Sequence, residues 1–92
     1  MTTNEQPGAA VLRAQLELDL LAVWQAVLEI ADIGTDDDFF AIGGHSLLSL
    51  ELREAVRKTL QLPQLAVDPL QTPTVTAMAA DILAQLGAGE RA

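Results

Sequence analysis

From Leu12 to Ile30 the apolar side chains return every three or four residues: Leu12, Leu16, Leu20, Val23, Val27 and Ile30. That period lines one face of an α-helix but would scatter over both faces of a strand. Glu17 and Gln25 fall off the stripe, so the segment reads as an amphipathic helix from about Val11 to Ala31. Trp24 flanks the stripe and is expected to seal the edge of the core. Nowhere does the chain alternate apolar and polar residues as a half-buried strand would.

The helical period returns twice more. A second helix is expected to open at or next to Ser46, with Leu48, Leu52, Ala55, Val56 and Thr59 inward, and to close near Leu62-Pro63. Leu47 and Leu50 sit partly off that stripe. Gln64 to Gln71 reads as a connector with a short helical turn around Asp68-Pro69-Leu70. Thr72 as N-cap and Pro73 at the first helical position would open a last helix. Its inward stripe is Val75, Met78, Ala79, Ile82 and Leu86, and Gly87 supplies the stop. Between the first two helices, Asp32 to Gly44 forms a long loop. Its Phe39 and Phe40 are too apolar to lie wholly in water, so at least one should be pinned into the core. The expectation is an all-α fold, a small bundle of three main helices plus the short turn. Residues 1–10, polar and containing Pro7-Gly8, read as a flexible lead-in, 11–87 as one domain, and 88–92 as a tail.

Composition narrows the function classes. Half of the 92 residues are hydrophobic but only 3% are aromatic, so the core is built from Leu, Val, Ile and Ala. No cysteine is present, which excludes disulfides and thiolate metal sites and suits a reducing compartment. Any thiol chemistry must therefore arrive on a cofactor. A net charge of −8 argues against a nucleic-acid partner. Through His45 the chain carries eight acids against Arg13 alone, so the acidity lies ahead of Ser46. The first ten residues lack the basic and apolar features of a signal peptide. No stretch approaches the roughly 18 apolar residues of a membrane span. A cytoplasmic domain is the expectation.

Chemistry is concentrated at Ser46, which follows Gly43-Gly44-His45 at the mouth of the second helix. A catalytic serine needs a base within hydrogen-bond reach and a group to orient that base. His45 is the sole histidine, and as an immediate neighbour it points another way along the helix start. Gly44-His45-Ser46 is half of a Gly-x-Ser-x-Gly elbow, but Leu48 occupies the second glycine position and no strand precedes it. Asp36, Asp37 and Asp38 lack the ligand spacing, central glycine and terminal glutamate of a calcium loop, and no metal site is expected. Two readings of Ser46 stay open on residue chemistry alone: a helix N-cap, and a point of attachment.

The run Asp-Asp-Asp-Phe-Phe-Ala-Ile-Gly-Gly-His-Ser-Leu-Leu from Asp36 to Leu48 closely resembles the core motif of carrier protein domains. More narrowly, it resembles the peptidyl carrier (thiolation) domains of nonribosomal peptide synthetases, within the acyl carrier protein-like superfamily. The likeness extends from about Leu16 to Leu86 and includes Leu21-Ala22-Val23-Trp24 and Thr72-Pro73-Thr74-Val75. It implies that Ser46 receives a 4′-phosphopantetheine arm from coenzyme A, whose thiol holds an aminoacyl or peptidyl group as a thioester. It implies also that His45, Leu47 and Leu50 are docking candidates and that the domain catalyses nothing itself. The implied partners are a phosphopantetheinyl transferase, an adenylation enzyme, a condensation or tailoring enzyme and a thioesterase, met by a monomer. Histidine before the serine and a nearly neutral second helix resemble the peptidyl type. Asp38 stands where the family usually has Asn, Ala41 where an acid is common, and Leu70 where a Phe often stands. Two alternatives accompany this reading: an acyl or aryl carrier of a polyketide or siderophore-type pathway, and an unmodified helical interaction module in which Ser46 is only a cap. The opening Met and the short tail suggest a free-standing carrier acting in trans, and a domain excised from a multidomain synthetase with a cloned start would look the same.

Overall fold

In the computed structural model, residues 7–87 are described. Of the expected lead-in over residues 1–10, residues 1–6 lie outside them and residues 7–10 are helical, while the expected tail over 88–92 lies outside them. Three helices follow in order: α1, Pro7–Leu28; α2, Ser46–Leu60; and α3, Val75–Gln85. Among the described residues there is no strand. The all-α expectation holds.

Helix α1 is the shared partner, packing against both α2 and α3, which make no comparable contact with each other. The space between them is filled by residues from the two long connections. Phe39 from the first, and Leu65, Val67 and Pro69 from the second, are buried beside Leu20, Trp24, Leu52, Val56, Val75, Met78 and Ile82. The expectation that one phenylalanine is pinned inward is met by Phe39, which is fully buried, while Phe40 remains 38% exposed.

Several expectations need correction. α1 starts at Pro7, four residues early, because a proline at the first turn gives up no intrahelical hydrogen bond. It also stops early, at Leu28. Glu29 enters the left-handed region (φ 58°), Ile30 N–H bonds to Gln25 O, and the Gln25 amide donates to Ala31 O. Leu12, assigned to the inward stripe, is exposed, because the bundle supplies no partner above Leu16. Trp24 is not an edge residue. The loop crosses that flank of α1, and Phe39 meets the indole edge-on at 5.3 Å, leaving Trp24 fully buried with its Nε1–H unpartnered.

α2 ends at Leu60, with Gln61 in the left-handed region (φ 57°) and Leu62 N–H bonded to Arg57 O. Arg57 and Lys58 in the last turn suit the negative end of the helix dipole. Leu52 and Val56 are buried as expected and Leu48 and Ala55 pack partly against the core, but Ser49 is buried with them and Thr59, assigned inward, is exposed. α3 is capped by Thr74, whose hydroxyl accepts from Ala77 N–H at 3.0 Å, and not by Thr72. Thr72 and Pro73 belong instead to the end of the connector, where Pro73 O accepts from Phe39 N–H at 2.7 Å. The turn at Asp68-Pro69-Leu70 is present, held by Gln71 and Thr72 N–H bonds to Asp68 O. Leu86 caps α3 and is half exposed rather than part of the inward stripe.

Candidate functional site at the start of the second helix

The loop that delivers Ser46 is organised by its own aspartates. Asp37 accepts from Gly34 N–H at 2.8 Å, and Asp38 Oδ1 accepts from Phe40 N–H at 2.9 Å and Ala41 N–H at 3.2 Å. A carboxylate folded back on amides two and three residues ahead is the turn chemistry of Asx residues. Asn offers the same acceptor, so the departure at Asp38 leaves the turn intact. The sequence reading excludes a calcium loop at these aspartates but does not reach their turn-forming role; an Asp followed two residues later by a turn is the available signal. Among the described residues no three His, Asp or Glu side chains cluster as a metal site.

The two glycines serve different ends. Gly43 has φ 115°, a backbone that L side chains rarely adopt. Gly44 is needed for space. A Cβ there would fall into the edge of the Phe39 ring and lie 2.6 Å from the Phe39 carbonyl oxygen, which already accepts from Gly44 N–H at 2.9 Å. The loop therefore closes tightly on Phe39, and Phe39 is tied to the core and to Pro73. Thr76 N–H to Thr35 O at 3.0 Å anchors the loop's other end on α3. Ser46 is thus delivered by a loop fixed at both ends.

His45 is the N-cap of α2, in an extended conformation (φ −153°, ψ −177°), and its side chain makes no capping hydrogen bond. Ser46 is the first helical residue. The intrahelical ladder begins with Ser49 N–H to His45 O at 2.8 Å, so no side chain caps the amides that precede it. No acidic residue occupies the first turn. The helix start therefore presents uncapped donors and a positive dipole end beside an exposed hydroxyl, a setting that favours a phosphate ester. Among the described residues no hydrogen bond links Ser46 to His45 or to a carboxylate.

All four residues singled out from the sequence lie together on the outer side of this helix start. His45 and Ser46 are exposed, Leu47 is 60% exposed and Leu50 54%. Leu50 lies one turn beyond Ser46 on the same face. Leu47 and Leu50 are thus surface residues, not half-buried packing.

The phosphopantetheine attachment site family model matches residues 19–82. The chain belongs to that family. Its members are carrier domains, and the cofactor of the family is covalent 4′-phosphopantetheine. The exposed hydroxyl, the uncapped amides and the glycine-lined approach fit such an arm. Among curated proteins, this carrier domain is 48% identical over 67 residues to a linear gramicidin synthase of Brevibacillus parabrevis, covering 73% of the chain and 1% of the relative. It is 42% identical over 77 residues to tyrocidine synthase 3 of the same organism, covering 82% and 1%. Vanchrobactin synthetase VabF of Vibrio anguillarum shares 37% over 80 residues, covering 87% and 3%. The resemblance to the peptidyl carrier (thiolation) type is borne out by these likenesses. The carrier domain spans only 1–3% of the length of these relatives. No solved structure matches it. No helix of the described residues is long and apolar enough to cross a membrane.

Proposed function

We propose that Ser46 is the residue that carries 4′-phosphopantetheine, and that the domain is a peptidyl carrier for nonribosomal peptide or related natural-product biosynthesis. The observation that supports this most directly is the position of Ser46: exposed, first in α2, beside uncapped amides, and inside the matched segment. A side-chain cap would have been expected were Ser46 a structural terminator, but the cap position belongs to His45. When attached, the arm supplies a thiol that holds an aminoacyl or peptidyl group as a thioester.

The chain's own residues perform three tasks. Ser46 offers its hydroxyl to a phosphopantetheinyl transferase, which must supply the base that the domain lacks. The α2 amides and dipole end stabilise the negative charge of a phosphodiester at that hydroxyl. Leu47 and Leu50, with His45, give each visiting enzyme a small apolar contact beside the arm, enough for orientation and weak enough for release. The visitors are an adenylation enzyme, a condensation or tailoring enzyme and a thioesterase, all in the cytoplasm. The domain itself has no catalytic role. α2 holds Glu51 and Glu54 against Arg53, Arg57 and Lys58, a net charge of +1. That near-neutrality supports a peptidyl rather than an acyl or aryl cargo.

The test is incubation with coenzyme A, magnesium and a broad-specificity phosphopantetheinyl transferase, followed by intact mass. One phosphopantetheine increment is expected on the parent and none on Ser46→Ala. An increment that persists in that variant would refute the site, and folded protein with no increment would refute modification of this chain. Loading with amino acids, aryl acids and malonyl groups then separates the carrier types, with aminoacyl loading expected.

A further inference from the structure

Between α2, the second connection and α3 lies a polar cavity of about 380 Å³, lined by Arg53, Arg57, Val67, Asp68, Gln71 and Asp81. That volume falls within the range of small-molecule sites. Arg53, Arg57 and Asp68 are half-buried, and Asp81 is exposed. Two cations and two anions share this cavity, yet they do not pair. Among the described residues the one ion pair is Arg13–Glu17, on α1.

Local bonds hold three of the four charged groups on their own walls. Asp68 Oδ1 accepts from Leu70 N–H at 3.0 Å, and Asp81 Oδ2 accepts from the Gln85 amide at 2.9 Å. Gln85 is fixed in turn, because its side chain exchanges two hydrogen bonds with Ala66. Arg57 Nε donates to Leu65 O at 2.8 Å. These bonds use a small part of what the groups offer, since a guanidinium has five N–H donors and a carboxylate about four acceptor sites. The cavity therefore presents free donors and free anionic acceptors that are kept apart from one another. Its complement is a group with acceptors for the arginines and a cation for the aspartates.

Helix α2 puts this cavity in line with Ser46. At about 100° and 1.5 Å per residue, Arg53 and Arg57 lie within roughly 20° of the Ser46 direction, about 10.5 and 16.5 Å further along the axis. An arm of about fourteen atoms has the reach of roughly five extended residues, ~16 Å, so an arm on Ser46 covers that distance. Tethering sets an effective concentration on the order of millimolar, so contacts of modest strength suffice. The end of an aminoacyl-loaded arm has the complementary chemistry: carbonyl acceptors along the arm and an α-ammonium at the tip. An amine-free acyl group would leave both aspartates unmatched.

We propose that this cavity is a resting site for the aminoacyl end of the arm. Arg53 and Arg57 donate to carbonyl oxygens of the arm, and Asp68 and Asp81 accept from the α-ammonium. This rests on the reading of Ser46 as the attachment point and deepens it. The carrier's own residues then sort cargo by charge: a free amine is held, whereas an N-acylated or amine-free group is not. The hold is weak and reversible, so a visiting enzyme can draw the arm away.

The test uses the full chain, ¹⁵N-labelled, with arms installed from coenzyme A analogues whose thioester is replaced by a stable amide. Three cargoes are compared: alanyl, N-acetylalanyl and propionyl. Intact mass first establishes loading on Ser46, and each spectrum is measured against the same protein with an unloaded arm. Alanyl is expected to shift the amides of Ala66, Asp68, Gln71 and Asp81 and the Arg53 Nε–H about threefold more than either other cargo, because charge-assisted bonds carry the hold. Asp68→Asn combined with Asp81→Asn keeps acceptors for Leu70 and Gln85 and should lower the alanyl shifts to the propionyl level. Arg53→Gln should reduce the alanyl shifts about twofold. Alanyl shifts equal to those of propionyl, shifts confined to residues 44–50, or an unchanged double Asn variant would overturn the resting site while attachment at Ser46 stands. Folded protein with no mass increment would overturn the carrier reading and the resting site together.

Discussion

Replacing Gly44 by alanine tests whether the loop holds Ser46 by packing or by backbone freedom. The added methyl meets the Phe39 ring edge and, at 2.6 Å, the Phe39 carbonyl oxygen. Neither neighbour can yield easily. The ring is wedged edge-on against Trp24 at 5.3 Å and Phe40 at 5.1 Å, and the Phe39 backbone is bonded to Pro73 and Gly44. Overpacking a tight site costs typically 1–3 kcal/mol, and an immovable carbonyl places this case at the upper end, about 3 kcal/mol. In a domain of this size that corresponds to a Tm lowered by roughly 12–24 °C. Gly43→Ala meets no neighbour and should cost only the conformational penalty of its positive φ, about 1–2 kcal/mol. Urea and thermal unfolding followed by circular dichroism would measure both. The cycle with Phe39→Leu separates ring from carbonyl: a smaller side chain should relieve part of the clash, giving a favourable coupling of about 1 kcal/mol. A Gly44→Ala protein within about 0.5 kcal/mol of the parent, or strict additivity with Phe39→Leu, would refute the packing argument.

Other consequences are open to the same measurements. Thr74→Ala removes the α3 cap and should cost about 1 kcal/mol, whereas Thr72→Ala should cost less, since its hydroxyl makes only a 3.3 Å contact with Asp68 O. Gln85→Ala deletes a two-way amide clasp on Ala66, whose N–H and carbonyl both bond to that side chain. Hydrogen exchange at Ala66 should accelerate, while exchange in the middle of α2 should not. His45→Asp installs the missing α2 cap and should raise stability by about 1 kcal/mol. If the docking role proposed for His45 holds, the same variant should slow loading by partner enzymes; an unchanged stability would argue against the cap geometry.

The helical period makes the architecture legible, because burial must follow it: Leu16, Leu20 and Val23, Leu52 and Val56, and Val75, Met78, Ala79 and Ile82 are where the spacing puts them. Helix ends are less so. α1 and α2 both stop at non-glycine residues in the left-handed region, Glu29 and Gln61, where composition carries no stop signal. Trp24 escapes a local reading because its burial depends on a loop crossing α1, a long-range event that no nearby pattern encodes. The α3 cap is offset by two residues from its expected place because the Thr-Pro-Thr segment offers two threonines, and pairing of Pro73 O with Phe39 decides between them. At the site, the exposed setting of Ser46 and its neighbours is readable from the glycines and the apolar spacing. The distinct duties of Gly43 and Gly44 are not, since each depends on a three-dimensional neighbour that a string of letters does not carry.

The buried indole of Trp24 has one practical consequence. It is the sole tryptophan of the chain, its N–H is unpartnered, and its nearest aromatic neighbour is Phe39, the residue on which the serine-bearing loop closes. Ultraviolet emission at long excitation wavelength therefore originates from one apolar, unhydrated position tied directly to that loop. Should the loop lift when an enzyme engages it, water would reach the indole and the emission maximum would shift to the red. Carrier traffic could then be followed in real time, without a label, from the protein's own light.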